Sequence, residues 1–292
     1  MKTSPLLRGI ALAALATTGL ASQAADWSDT SIGIRYGTKF GEPFGGNDIT
    51  KRIFNLTHAS GYKYGSNFLN VDGLVSNTGD EPSTFNGQSG AHEVYIVYRH
   101  TLDLGKVTGA NLKFGPVRGL GLTAGFDFNT KNDTGYNSKK RMYVLGPTAN
   151  LDVPGFLNVS LLMLWESNAP SGKSFPGGVP TDYSIKRYSY DTHPMLTAAW
   201  AIPLGGGFSF EGFANWIASK GVNEFGGGTK PETNIDAQVM YDASGLVGAG
   251  KNTFKVGLEY QYWRNKFGND YRGDAGQGAF AKTPMIRAEY HF

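Results

Sequence analysis

Leu120-Gly121-Leu122-Thr123-Ala124-Gly125-Phe126-Asp127-Phe128 decides the fold class. Every second residue from Leu120 to Phe128 is apolar, and those between are glycine, threonine or aspartate. Successive side chains of a strand point to opposite faces, so this stretch has one apolar face and one small or polar face. The pattern recurs at Phe254, Val256, Leu258, Tyr260 and Tyr262, set against Thr253, Lys255, Gly257, Glu259 and Gln261. A third copy runs through Leu157, Val159, Leu161, Met163 and Trp165, with Glu166 on the opposite face.

Less regular runs at about 30–40, 50–58, 62–76, 91–102, 141–152, 194–202, 208–219, 233–242 and 284–292 bring the expected strands to twelve, an even number. The alternation slips in 50–58 and 62–76, where a bulge is expected. The odd-numbered connections are long, about 9, 14, 12, 26, 13 and 21 residues, and rich in Gly, Asn, Pro and charge. The even-numbered ones are mostly tight, such as Ala59-Ser60-Gly61 and Val153-Pro154-Gly155-Phe156. Long loops at one end and short turns at the other are the asymmetry of an outer-membrane barrel. The fourth connection, Asp103 to Arg118, is the exception, being long on the short side.

The N-terminus sets the compartment. Lys2 and Arg8 flank an apolar run from Gly9 to Leu20, and Ser22-Gln23-Ala24 supplies small residues for cleavage. Residues 1–24 therefore read as a signal peptide, and residues 25–292 as the barrel. The apolar run is about a dozen residues, against the roughly 20 a membrane helix needs. No later window of 18 residues stays apolar, so any membrane crossing must use strands. With 41 Gly, 15 Tyr, 18 Phe and 5 Trp the chain has low helix propensity. It has no cysteine, which excludes a disulfide scaffold, a thiol nucleophile and a thiolate metal site. The formal net charge of +3 is not clustered, which argues against nucleic acid as a partner.

A secreted β-sandwich would show the same alternation. Three features favour a barrel. Ile286, Ala288, Tyr290 and the final Phe292 stay in apolar phase to the last residue, as a barrel-assembly signal does. Full charges stand mid-strand on the polar face at Arg35, Arg99, Asp127, Glu211, Glu259, Arg287 and Glu289. Aromatic residues stand near strand ends on the apolar face, including Tyr36 and Phe40, Phe126 and Phe128, Trp165, Phe208 and Phe210, Trp216, and Tyr260 and Tyr262, as interfacial girdles require. The expectation is an all-β, transmembrane antiparallel barrel of about twelve strands, closed because lipid offers no partner for an open edge. Its lumen should exceed that of an eight-stranded barrel and fall short of a sixteen-stranded porin, a bore suited to a narrow solute path.

For such a conduit the working residues are those facing the lumen. Strand phase places Arg35, Glu93, Arg99, Asp127, Glu166, Glu211, Lys255, Glu259, Arg287 and Glu289 there, both signs together, with several expected to pair across strands. Tyr95, Phe213 and Trp263 share the lumen phase, and rings beside hydrogen-bonding groups suit a solute with a flat face and a polar edge, such as a nucleobase. A phase error of one residue would turn each outward. The five histidines, at 58, 92, 100, 193 and 291, show no metal-binding spacing, and His100-Thr101-Leu102 lacks the His-x-Ser-Asn pattern of an outer-membrane phospholipase. The acidic groups Asp80-Glu81 and Asp26 to Asp29 read as solvated charge, with calcium the alternative. Gly226-Gly227-Gly228-Thr229-Lys230 lacks the strand-to-helix setting of a phosphate loop. No catalytic residue, metal or cofactor is expected, and an enzyme is not.

The chain resembles the nucleoside-specific outer-membrane channels of the Tsx/OmpK family over most of the segment after residue 24. Asp26-Trp27 followed by Ser31-Ile32-Gly33-Ile34-Arg35-Tyr36-Gly37-Thr38-Lys39-Phe40-Gly41 looks like that family's first strand and turn. Leu112-Lys113-Phe114-Gly115-Pro116, inside the long fourth connection, is similar to its Leu-x-Phe-Gly-Pro element. Met142 to Gly146 leading to Leu151-Asp152-Val153-Pro154-Gly155, and the ending Glu289-Tyr290-His291-Phe292, match more coarsely. After Pro116 the chain departs, running Val117-Arg118-Gly119-Leu120-Gly121 without the aromatic residues of the enterobacterial members. The resemblance implies a monomeric barrel in a Gram-negative outer membrane, with a keyhole-like lumen passing nucleosides down their gradient. Its implied partners are membrane lipid, nucleoside-type solutes, the barrel-assembly machinery through Phe292, and phage or colicin at the surface. The competing expectation is a structural or adhesive barrel whose loops bind a partner and whose lumen is closed by charge pairs.

Overall fold

The computed structural model describes residues 25–46, 48–80, 90–174 and 178–292. The signal sequence expected over residues 1–24, and Glu81, lie outside them. The strands are β1 (Trp27–Phe40), β2 (Ile49–Tyr62), β3 (Gly65–Ser76), β4 (His92–Asp103), β5 (Val117–Lys131), β6 (Arg141–Leu151), β7 (Phe156–Asn168), β8 (Ser171–Ser174), β9 (Thr181–Ser184), β10 (Tyr188–Ser189), β11 (His193–Gly205), β12 (Phe208–Ile217), β13 (Glu232–Asp242), β14 (Phe254–Arg264) and β15 (Phe280–His291). Twelve of these form one antiparallel sheet in sequence order. β6 pairs with β7, and β1 pairs with β15 from Ser31 opposite His291 to Gly37 opposite Met285, which closes the barrel. The remaining three belong to the connection between β7 and β11. There β8 and β9 form a hairpin, and β10 adds two residues to the edge of β7.

Each barrel strand has ten to fifteen residues. At about 3.3 Å per residue and a tilt near 45°, ten residues rise roughly 23 Å, close to the apolar height such barrels present. The outer wall is apolar and open to its surroundings: Leu258 is 69%, Ile286 60%, Leu161 55% and Ile32 52% exposed. A continuous apolar surface on this scale is untenable in water and suits hydrocarbon. Together with closure, it defines a transmembrane β-barrel.

The bulges are not where the alternation slips. β2 and β3 pair without interruption from Lys51 opposite Ser76 to Tyr62 opposite Gly65. Register breaks fall instead between Gly37 and Phe40, Val117 and Gly119, and Pro203 and Gly205. The first corrects one expectation: the shift turns Phe40 inward, where it is buried against Ile49, Ile53 and Met285 rather than lying in the outer girdle. The fourth connection carries a short helix, α1 (Leu104–Thr108). The Asp103 side chain caps it by accepting from Lys106 N, and it stops at left-handed Gly109. At Gly146 a Cβ would sit 2.0 Å from the Leu161 carbonyl oxygen. Gly146→Ala is therefore expected to cost about 1–3 kcal/mol of stability, measured by urea unfolding in lipid vesicles.

Candidate functional site: the bore

In each strand the residues in phase with Arg35, Tyr95, Asp127, Glu211 and Glu259 face inward, because directly paired residues of antiparallel neighbours share a face. Midway along the bore β14, β15, β1 and β3 converge on one charge cluster. Arg35 lies 2.6 Å from Asp72 and 3.1 Å from Glu259. Arg287 lies 2.9 Å from Glu259, and its Nε donates to Glu289 at 2.8 Å. The Glu259 side chain is wholly buried, and those of Arg35 and Arg287 are nearly so. Asp236, on β13, accepts from Gln261 at 3.1 Å and stands in register with Phe213, which puts that ring on the bore beside the cluster.

Around the wall the remaining predicted residues also lie inward. Arg99 reaches Asp127 at 2.5 Å and the carbonyls of Tyr98 and Phe126 at 2.9 and 3.1 Å. The Tyr95 hydroxyl donates to Asp127 at 3.2 Å, and the Lys140 ammonium lies 5.8 Å from the centre of its ring. Glu93 accepts from Asn129 at 2.6 Å. Glu211 pairs with Lys255 at 3.5 Å and accepts from Ser209 at 2.6 Å. Trp263 donates its indole N–H to Glu232 at 2.5 Å and packs edge-on against Phe267 at 4.9 Å. Of the three aromatic candidates, Tyr95 and Trp263 are thus held by polar partners.

Two further clusters occupy the long-loop end. Glu42, in the β1–β2 connection, lies 2.5 Å from Lys51, 3.0 Å from Lys266 and 3.6 Å from Lys131. Lys131 also reaches Asp80 and Asp133, each at 3.0 Å. Three lysines and three carboxylates thereby tie together the connections β1–β2, β3–β4, β5–β6 and β14–β15. Burial by itself would push the Glu42 carboxyl up, but Lys131, Lys266 and Lys51 outweigh it and hold it well below the usual carboxylate range. The second cluster centres on Glu166, 2.6 Å from Lys220 and 3.9 Å from both Lys140 and His193. Above it Glu224 accepts from Tyr190 at 2.6 Å and from Tyr136, joining the β5–β6, β7–β11 and β12–β13 connections. All six long connections are therefore knitted together over the mouth.

Strand phase could have found Asp72, Asp236, Lys51 and Lys131, which share the polar face with the residues named from sequence. Glu42, Lys220 and Glu224 stand in loops, where no periodicity marks direction. The bore is also less polar than expected. Met142, Val144, Leu162, Leu164 and Met195 pack as a buried cluster on its β6–β7–β11 wall.

No protein-family model matches the chain, and no curated protein does. Among solved structures it is similar to the KdgM porin, at 10% identity and a TM-score of 0.42 over 90% of this chain and 99% of that one. It is also similar to the translocator domain of autotransporter NalP from Neisseria meningitidis, at 13% identity and a TM-score of 0.44 over 98% and 95%. The β-domain of the Bordetella autotransporter Brka gives 9% identity and a TM-score of 0.42 over 91% and 100%.

Proposed function

We propose that the protein is a passive conduit in the outer membrane of a Gram-negative cell, selective for a small polar solute of nucleoside type. The observation that carries this reading is the buried ionisable cluster of Arg35, Asp72, Glu259 and Arg287 in mid-bore. Burying charge costs several kcal/mol per ion, and well-packed apolar residues are often as stable or better, so stability alone does not call for such a cluster. Ionisable groups at membrane depth instead mark a solute or ion path. Among the described residues, Arg35 Nε, Asp72 Oδ1, Asn55 Oδ1 and Asn234 Oδ1 are buried in the bore without a side-chain or backbone partner, so the polar wall does not satisfy itself.

Nucleosides fit because Phe213, whose ring has no aromatic partner among the described residues, stands beside hydrogen-bonding Asp236 and Gln261, with Tyr95 and Trp263 elsewhere on the wall. In planar bilayers, adenosine and thymidine are expected to block current more strongly than sugars of similar size. Phe213→Ala is expected to weaken that block about tenfold, the value of one stacked base, while leaving ionic conductance little changed. Equal block by sugars would remove the selectivity. Unchanged block in Phe213→Ala, Tyr95→Ala and Trp263→Ala alike would remove the stacking.

In this reading the long loops face outward, where phage or colicin would meet them, and the termini face the periplasm. Phe292, 71% exposed beyond Tyr290, is then available to the assembly machinery during insertion. The loop-end clusters favour one alternative, a closed barrel serving as a surface receptor. A folded protein without single-channel conductance that still binds a partner would decide for it.

A further inference from the structure

On the outer wall, where β5 and β6 reach the long-loop end, a cavity of about 420 Å³ is lined by Phe128, Thr130, Lys139, Arg141, Tyr143 and Arg187. Lys140 also borders it, but the Lys140 ammonium turns inward to Glu166 and the Tyr95 ring. Arg141, Tyr143 and Phe128 are in the outward phase, since Arg141 pairs with Phe128 and alternates with inward Met142. Lys139, Arg141 and Arg187 are exposed, and among the described residues none of the three has a carboxylate within ion-pair distance. No carboxylate lines the cavity either. Arg187 is anchored by donating to Ser167 at 3.1 Å. Arg141 and Arg187 line the same cavity, and burial and then the neighbouring Arg141 charge lower the Arg187 pKa.

The floor is aromatic and continuous with the lipid-facing wall. Phe128 stacks on Phe126 at 4.6 Å and meets Tyr143 edge-on at 5.7 Å, and Leu145 follows Tyr143 in the same phase. A site with cations at its rim and rings toward mid-membrane matches an amphiphile whose anionic head lies at the interface and whose chains lie in hydrocarbon. We propose that this cavity binds the phosphate headgroup of a membrane lipid in the leaflet at the long-loop end, with Arg141 and Arg187 gripping the phosphate and Phe128 and Tyr143 bedding the first chain segments. A phosphomonoester carries between one and two negative charges near neutrality, and the planar guanidinium fork matches its oxygens two at a time. The proposal rests on the reading of the barrel as membrane-resident, and the two are separable by experiment.

The folded protein, inserted in phosphatidylcholine nanodiscs, is titrated with short-chain phosphatidic acid, and separately with inorganic phosphate. Tight, saturable binding of phosphatidic acid is expected. Arg141→Gln combined with Arg187→Gln should weaken it about 25-fold, from roughly fivefold for each arginine at a membrane surface. Both residues are exposed, so the heat-modifiable gel migration of a closed barrel should persist in the variant and show that it folds. Unchanged phosphatidic acid affinity in the variant would overturn the proposal. Inorganic phosphate binding as tightly as the lipid would overturn it too, making this a free-anion site. Failure to insert in phosphatidylcholine at all would overturn the membrane reading and this proposal with it.

Discussion

Arg35→Met is expected to destabilise the barrel by about 3–5 kcal/mol, the cost of breaking a buried ion pair by removing one partner. Arg35 is the cation shared by Asp72 at 2.6 Å and Glu259 at 3.1 Å, and its side chain is about one-tenth exposed. Without it, Asp72 and Glu259 face one another with, among the described residues beside them, only Arg287 to compensate. Arg35→Lys keeps the charge but lacks the planar fork and reach of the guanidinium, so a smaller loss is expected. The measurement is the urea midpoint for unfolding from lipid vesicles, compared at equal slope. Adding Asp72→Asn to Arg35→Met should recover part of the loss, since it removes one of the stranded charges. If the single variant unfolded at the same urea concentration as the parent, the cluster would not be the electrostatic centre of the bore.

Glu42→Gln is expected to loosen the loop end, because Glu42 is the one carboxylate in contact with Lys51, Lys131 and Lys266. Its neutralisation leaves Lys51 and Lys131 to Asp80 and Asp133. Lys266 then keeps only the Gly41 carbonyl, at 2.9 Å, among its present oxygen partners. Truncating one partner of such a buried set costs about 2 kcal/mol or more, which shifts an open-to-closed ratio roughly 30-fold. Single-channel recording should show longer open times or larger current, and trypsin should cut the β14–β15 connection faster, at Lys266 and Arg272.

Acid should imitate this substitution. The folded-state pKa of Glu42 lies well below its ordinary value of 4.5, so its contribution is fully present above that value. It is lost as pH falls through the lowered folded value. Opening should therefore be flat from neutrality to about pH 4.5 and rise only in more acid solution, and Glu42→Gln should lack the rise. Opening that begins near neutrality would assign the latch to another group.

The strand content was legible because a barrel wall separates hydrocarbon from a polar interior, and that contrast writes period-two alternation into most strands. Phe126 and Phe128 face out, and Asp127 between them faces in. Where both faces meet apolar matter the signal fades. In Leu161-Leu162-Met163-Leu164-Trp165, Leu161, Met163 and Trp165 face lipid while Leu162 and Leu164 fill the bore, and alternation could report only the first group. Phe40 was misplaced because a bulge changes the count by one residue without marking it in composition.

By itself, the sequence determined that this is an all-β chain with a barrel of twelve strands and long connections at one end, and which wall residues share the polar face. Those properties follow from the local geometry of a strand and the two media it divides. The tertiary structure alone decided that Arg35 meets both Asp72 and Glu259, residues 37 and 224 positions away along the chain. It alone brought Glu42, Asp80, Asp133 and Lys266 from four separate loops to one buried point. Such meetings depend on barrel closure and register, which set distances between strands remote in sequence, and no local pattern encodes them.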